Sequence, residues 1–201
     1  MAVEIAIIVT DAPPLITLAA AQSLDYLLYP ELPVIIPDAV FHEATQAAGK
    51  LGAQKILNWY RAHTDKVRVE PTQVFQDEIT LREATGHKPA RDLGERAAVE
   101  VVRKYPMAQD ARALLLSDDR DAERLVVFVP ERAILLTTWD YLRQLEDAQR
   151  IQSADAVIEA VRAAGRNPAL RDLWSDHDPE IRDAVKAIIT RTRADSGPGK
   201  M

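Results

Sequence analysis

The sequence predicts an α/β fold: a doubly wound, mainly parallel five-stranded sheet flanked by helices, with a C-terminal helical extension. Three observations carry this prediction. Five short, continuously apolar runs bounded by polar residues or proline read as strands covered on both faces. Amphipathic stretches of helical period separate them, the alternation produced by a parallel sheet with helices on both sides. After the fifth run only helical patterns remain.

The first strand is EIAIIVT, residues 4–10, followed by a helical pattern over 14–28. LPVIIP (32–37) is the second, followed by helical patterns over 38–48 and 52–63, and KVRVE (66–70) is the third. A further helix is expected over 94–105, before the fourth strand ALLLS (113–117) and a helix over 120–127. The fifth strand, AILLT (133–137), leads into a helix over 138–149. Two helical patterns close the chain, 155–164 and 179–193; the second opens with Asp178-Pro179, an N-cap followed by proline at the first helical position. Residues 1–146 are expected to form the α/β domain, 147–193 a helical extension packed on it, and the Gly- and Pro-containing end, 194–201, a flexible tail.

Composition narrows the function classes. The 201 residues, 47% hydrophobic with only 7 glycines, suffice for one ordered core. There is no cysteine, so disulfides and thiolate metal sites are excluded and a cytoplasmic location is expected. The opening MAVEIAIIVTDAPP places Glu4 and Asp11 around its apolar run and has no basic segment, which reads as a strand rather than a signal peptide; no apolar run is long enough to span a bilayer. Net charge of -6 repels phosphate backbones, so any nucleic-acid site must be local. Arg82, Lys88, Arg91, Arg96, Arg103 and Lys104 could supply one, or could simply solvate a helix face. The four histidines lack paired ligand spacing, and no Gly-x-Gly-x-x-Gly, Walker or Gly-x-Ser-x-Gly pattern occurs. Trp59 and Trp139 read as packing residues, with Trp174 a possible partner contact.

The acids carry the chemistry. Right-handed crossovers and the common strand order 3-2-1-4-5 put the ligand crevice between strands one and four, outside their carboxyl ends. Strand one ends at Asp11 and strand four at Asp118 and Asp119. On the helix from Asp38, Val40, Phe41, Ala44, Ala47 and Ala48 share an apolar arc with Glu43 at its edge; in DLGERAAVEVVRKY, Glu95 lies on the apolar side one turn before Ala98 and Val99. Each acid also has a plainer role. Asp11 could cap the first helix, Asp92 and Glu95 form a capping-box pattern, Asp118 or Asp119 could cap the helix after strand four, and Thr137 or Thr138 the next one. Converging carboxylates repel, and a divalent cation relieves that repulsion while supporting phosphodiester hydrolysis.

Four segments, IIVTDAPPLITLA, VIIPDAVFHEAT, DLGERAAVEVV and LLLSDDRDAERL, in this order and spacing, resemble the PIN-domain nucleases, which include the VapC-like toxins of toxin-antitoxin modules. The resemblance extends from about residue 3 to 146. It implies a Mg²⁺- or Mn²⁺-dependent endoribonuclease with Asp11, Glu43, Glu95 and Asp119 as its metal-binding and catalytic acids. Asp118 is a neighbour that could substitute: the Ser-x-Asp form of the last motif selects Ser117 and Asp119, whereas double-acid members can use the first acid. RNA substrate and a cognate antitoxin are the partners it implies; the helices beyond residue 147 could cover the sheet, form a homodimer interface or bind a partner. Two departures stand out: the stretch 72–94 is longer than in compact toxins, and the helices beyond residue 147 exceed the minimal fold. The alternative is a PIN-like interaction module without turnover. A phosphoacceptor would require an aspartate at the end of strand three, where only Glu70 stands.

Overall fold

The apolar runs pair into one sheet. In a computed structural model that describes residues 3–47, 49–88 and 90–190, the strands are β1 (Glu4–Thr10), β2 (Val34–Pro37), β3 (Val67–Glu70), β4 (Ala111–Leu116) and β5 (Ala133–Leu136). Every pairing is parallel, in the order β3-β2-β1-β4-β5 expected for a doubly wound fold. The tail at 194–201, the end of the last helical pattern at 191–193, and Ala48 lie outside the described residues.

Alternation within the strands splits the core into two layers. Ile5 and Ile8 of β1, with Leu114, Leu116, Ile134 and Leu136, face one side; Ile7, Val9, Ala113, Leu115, Ala133 and Leu135 face the other. The first side is covered by α1 (Ala12–Ala20), α3 (Ala53–Ala62), α7 (Thr138–Asp147), α8 (Ala154–Ala163) and α9 (Pro179–Thr190), through residues such as Leu15, Ile56, Tyr141, Ile158 and Ile188. The second is covered by α5 (Leu93–Lys104) and α6 (Arg120–Val126), through Ala98, Val102 and Ala122. Residues beyond 147 thus share one buried cluster with the sheet. The buried Tyr141 adds a tie, its hydroxyl donating to the Tyr26 carbonyl at 2.7 Å.

Two elements differ from the sequence-based expectation. The pattern over 14–28 breaks after Ala20: Gln22 takes φ 58°, and a short 3-10 turn follows at Leu24–Leu28. The long stretch before Gly94 contains a helix that the periodicity does not reveal, α4 (Gln73–Thr85). It buries only Phe75 and Glu78, so it has no apolar stripe. Its ends are nonetheless written in the sequence: Thr72 Oγ1 accepts from the Phe75 N–H at 3.3 Å, and Gly86 follows the last turn with φ 66°. The remaining helix is α2 (Asp38–Thr45), directly after β2.

Gly52, which precedes α3, has φ 83°, and a Cβ there would stand 2.8 Å from the Ala19 Cβ. Gly165 has φ 86° but open space around it. Gly52→Ala therefore combines left-handed strain with a clash between α1 and α3, and is expected to lower unfolding stability by about 2–4 kcal/mol, against about 1–2 kcal/mol for Gly165→Ala. Urea denaturation of the two variants checks the difference.

Candidate active site

β1 and β4 are adjacent and in register, Thr10 opposite Leu116, and the Asp11 N–H donates to the Leu116 carbonyl at 2.9 Å. The two chains leave the sheet side by side, which brings Asp11 next to Ser117 although 106 residues separate them. Asp11 is buried and does two things at once. One carboxylate oxygen accepts from the Ala12 N–H at 2.8 Å, capping α1, and the other accepts from the Ser117 hydroxyl at 2.9 Å. Ser117 Oγ in turn accepts from the Asp119 N–H at 3.3 Å, so one serine positions both acids.

Glu43 and Glu95 arrive on α2 and α5, which pack against each other near Gly94. A Cβ on Gly94 would lie 2.9 Å from Asp11 Oδ1, 3.4 Å from the Val40 side chain and 3.8 Å from Glu43 Oε2. Glycine at this position is what lets α5 begin against two carboxylates. Glu95 follows it and is buried. The capping-box alternative for Asp92 and Glu95 is not formed: Asp92 makes no side-chain bond to the start of α5.

The two adjacent aspartates diverge. Asp119 is exposed, and its charge bears on both Asp11 and Glu95. Asp118 turns toward α7, its two oxygens accepting from the Thr138 N–H at 2.8 Å and hydroxyl at 2.9 Å. The charges of Arg166 and Asp140 bear on it. Thr137 rather than Thr138 caps α7, in a reciprocal box with Asp140. The structure therefore gathers Asp11, Glu43, Glu95 and Asp119 and uses Asp118 to tie β4 to α7.

Desolvation dominates the electrostatics. A crevice of about 10 Å³, room for roughly one water, is lined by Asp11, Glu95 and Ser117 together with Ala98, Val99, Leu115 and Ala122. Burial raises the Asp11 carboxyl from 3.8 to about 6, against the lowering pull of its bonds from Ala12 and Ser117; Glu43 and Asp119 push it further up. Burial likewise raises Glu95 from 4.5 to about 7, reinforced by Asp11, Asp119 and Glu43. Among the described residues, no three Asp, Glu or His side chains already form a closed metal-binding group. The oxygen-only donor set and the carboxylates around Gly94 nonetheless suit a hard divalent ion, whose charge would oppose the repulsion.

The basic residues noted in the sequence do not form one patch. Arg91 and Arg96 flank Glu95 and are exposed, whereas Arg103 and Lys104 lie at the opposite end of α5, about 12 Å along the helix axis. Lys104 pairs with Glu100 at 2.5 Å, and Glu100 accepts from the Gln73 and Val74 N–H groups at the start of α4. Trp59 packs in the core and donates to Asp25 at 2.9 Å, and Trp174 lies against the same cluster.

Because both acids have raised pKa values in the fold, their stabilising contribution is fully present below about pH 4 and is lost as pH rises through about 6 and 7. In chelator, the wild-type protein should lose stability from pH 5 to 8. Asp11→Asn keeps an acceptor for the Ala12 N–H, can donate its amide to the Ser117 Oγ in place of accepting from it, and removes the buried charge; it should be more stable than wild type at pH 8 by about 1–3 kcal/mol. Thermal unfolding of the two proteins across this range measures the effect.

A family model described as PIN domain matches residues 7–126, from β1 through α6. No curated protein and no solved structure matches the chain. PIN domains are generally nucleases that act on nucleic acid with divalent metals. With the matching sheet and more than half of its length covered, the chain belongs to the PIN-domain family and has its nuclease-type fold.

Proposed function

We propose that the protein is a Mg²⁺- or Mn²⁺-dependent endoribonuclease that hydrolyses RNA phosphodiester bonds as the toxin of a toxin-antitoxin module. The observation that carries this reading is the gathering of Asp11, Glu43, Glu95 and Asp119, from four separate segments, at the carboxyl ends of β1 and β4. Asp11, oriented by Ser117 and Ala12, is the fixed member. Glu43 and Asp119 are exposed and complete the oxygen donors from the solvent side. Glu95, with a pKa of about 7, holds a proton near neutrality that it must release before acting as a ligand. When bound, a divalent ion lowers the pKa of the attacking water and neutralises charge developing on the phosphoryl group.

The toxin assignment extends the family resemblance and is consistent with the cup's chemistry: a basic side chain of an antitoxin would satisfy the same carboxylates and occlude them. A PIN-like module without turnover fits less well. It would retain two destabilising buried acids with no ion or substrate to offset them.

Purified protein should cleave single-stranded RNA with Mn²⁺ or Mg²⁺, and lose this activity with chelator. Asp11→Asn and Asp119→Asn should each lose at least about 100-fold. Asp118→Asn should stay within about fivefold of wild type while losing about 1–2 kcal/mol of stability from its bonds to Thr138. Full activity in folded Asp11→Asn, or equal losses in Asp118→Asn and Asp119→Asn, would contradict the assignment.

A further inference from the structure

We propose that Arg166, beyond the family-matched residues, is a substrate-positioning residue that binds an RNA phosphate beside the scissile one; the inference rests on the ribonuclease reading above. A cup of four carboxylates repels a polyanion. A metal can offset that repulsion at the reacting phosphate, but the flanking phosphates need fixed cations on the lip.

Arg166 reaches the start of α1 just past Asp11, and the chain beyond α8 is built to hold it there. Gly165, with φ 86°, reverses the backbone, and the Arg166 N–H donates back to the Val161 carbonyl at 3.2 Å, closing the helix with a Schellman-type end. The half-buried side chain then reaches the first turns of α1. Nε donates to Thr17 Oγ1 at 3.1 Å and Nη2 to the Pro13 carbonyl at 3.4 Å, two residues past Asp11. The charge of Asp118, the neighbour of Asp119, bears on it. Asp118 commits both oxygens to Thr138, so it offsets the guanidinium without forming a direct ion pair.

Among the described residues, Nη1 has no hydrogen-bond partner. The guanidinium is therefore tethered along one edge and available along the other, the form in which arginine recognises phosphate with little loss of rotamer freedom. The segment that follows is pinned in the same direction. The Thr137 hydroxyl reaches the Arg171 carbonyl at 2.7 Å, the Arg171 guanidinium pairs with Glu123 of α6, and the Leu173 N–H donates to Asp140 at 3.2 Å. This stretch crosses the carboxyl ends of β4 and β5 and fixes the approach of Arg166 to α1. Arg91 and Arg96, before and within the first turn of α5, are exposed and, among the described residues, have no comparable tethers.

The test is steady-state cleavage of a fluorescent single-stranded RNA oligonucleotide with Mn²⁺, together with its binding to the Asp11→Asn protein, from 50 to 200 mM KCl. Arg166→Gln should raise KM about tenfold with kcat within about threefold. It should also reduce the salt slope of binding by about 0.7, the loss of one phosphate contact. Arg166→Lys should keep the slope and raise KM about threefold, because charge survives without the tethered geometry. Arg162→Gln, on the exposed end of α8, should match wild type in both.

A merely structural role for Arg166 predicts a lower unfolding temperature with KM and salt slope unchanged in Arg166→Lys, and that result overturns the inference. Should Arg166→Gln fail to fold, a wild-type KM in Arg166→Lys has the same force. A wild-type chain that neither binds nor cleaves RNA removes the ribonuclease reading along with it, whereas RNA cleavage with an unchanged slope in Arg166→Gln removes the inference alone.

Discussion

Mutual repulsion among carboxylates, enforced by burial, is the constraint around which this end of the molecule is arranged. Asp11 and Glu95 occupy a crevice walled by Ala98, Val99, Leu115 and Ala122, where ionisation is unfavourable, and Glu43 and Asp119 add negative charge from outside. Such an arrangement weakens the fold at neutral pH. It persists because the surroundings over-determine it: the Asp11 carboxylate is fixed by α1 and Ser117, and α5 begins with the glycine that avoids displacing it. A ligand that neutralises the cup would return part of that stability on binding, so ligand binding and stability are linked at the same four residues.

The adjacent pair Asp118-Asp119 shows how one short turn serves both. After β4 the chain no longer alternates regularly, and its two carboxylates separate by role. Asp118 holds the start of α7 against the strand end, and the charge of Asp119 bears on the cup. Ser117 makes the division possible by bonding Asp11 through its hydroxyl while accepting the Asp119 N–H. A hydrophobic strand ending in two negative charges is explained by their distinct surroundings: Thr138 for Asp118, and the charges of Asp11 and Glu95 for Asp119.

Much of this was legible in the sequence for physical reasons. Strands buried on both faces must be continuously apolar, so all five were visible, and crossover handedness then set the strand order that brings Asp11 to the end of β4. Glu43 and Glu95 were visible because an acid at the edge of a helix's apolar face, or on that face, requires an explanation. What could not be read was side-chain direction in an irregular turn, so the sequence left Asp118 and Asp119 as alternatives. Helix α4 was hidden because it buries Phe75 and Glu78 rather than an apolar stripe, though Thr72 and Gly86 marked its ends. The position of Arg166 depends on a helix end and a chain crossing far from β1, and no local pattern announces it.

The most direct test of the central claim is the number of protons released when Mn²⁺ binds, measured calorimetrically in buffers of different ionisation enthalpy. With Asp11 at about 6 and Glu95 at about 7 before binding, roughly one proton should leave at pH 6.5 and almost none at pH 8.5. Binding with no proton release at pH 6.5 would show carboxylates already ionised and solvated, and an absence of Mn²⁺ binding would show that they do not act together at all; either result would contradict the account.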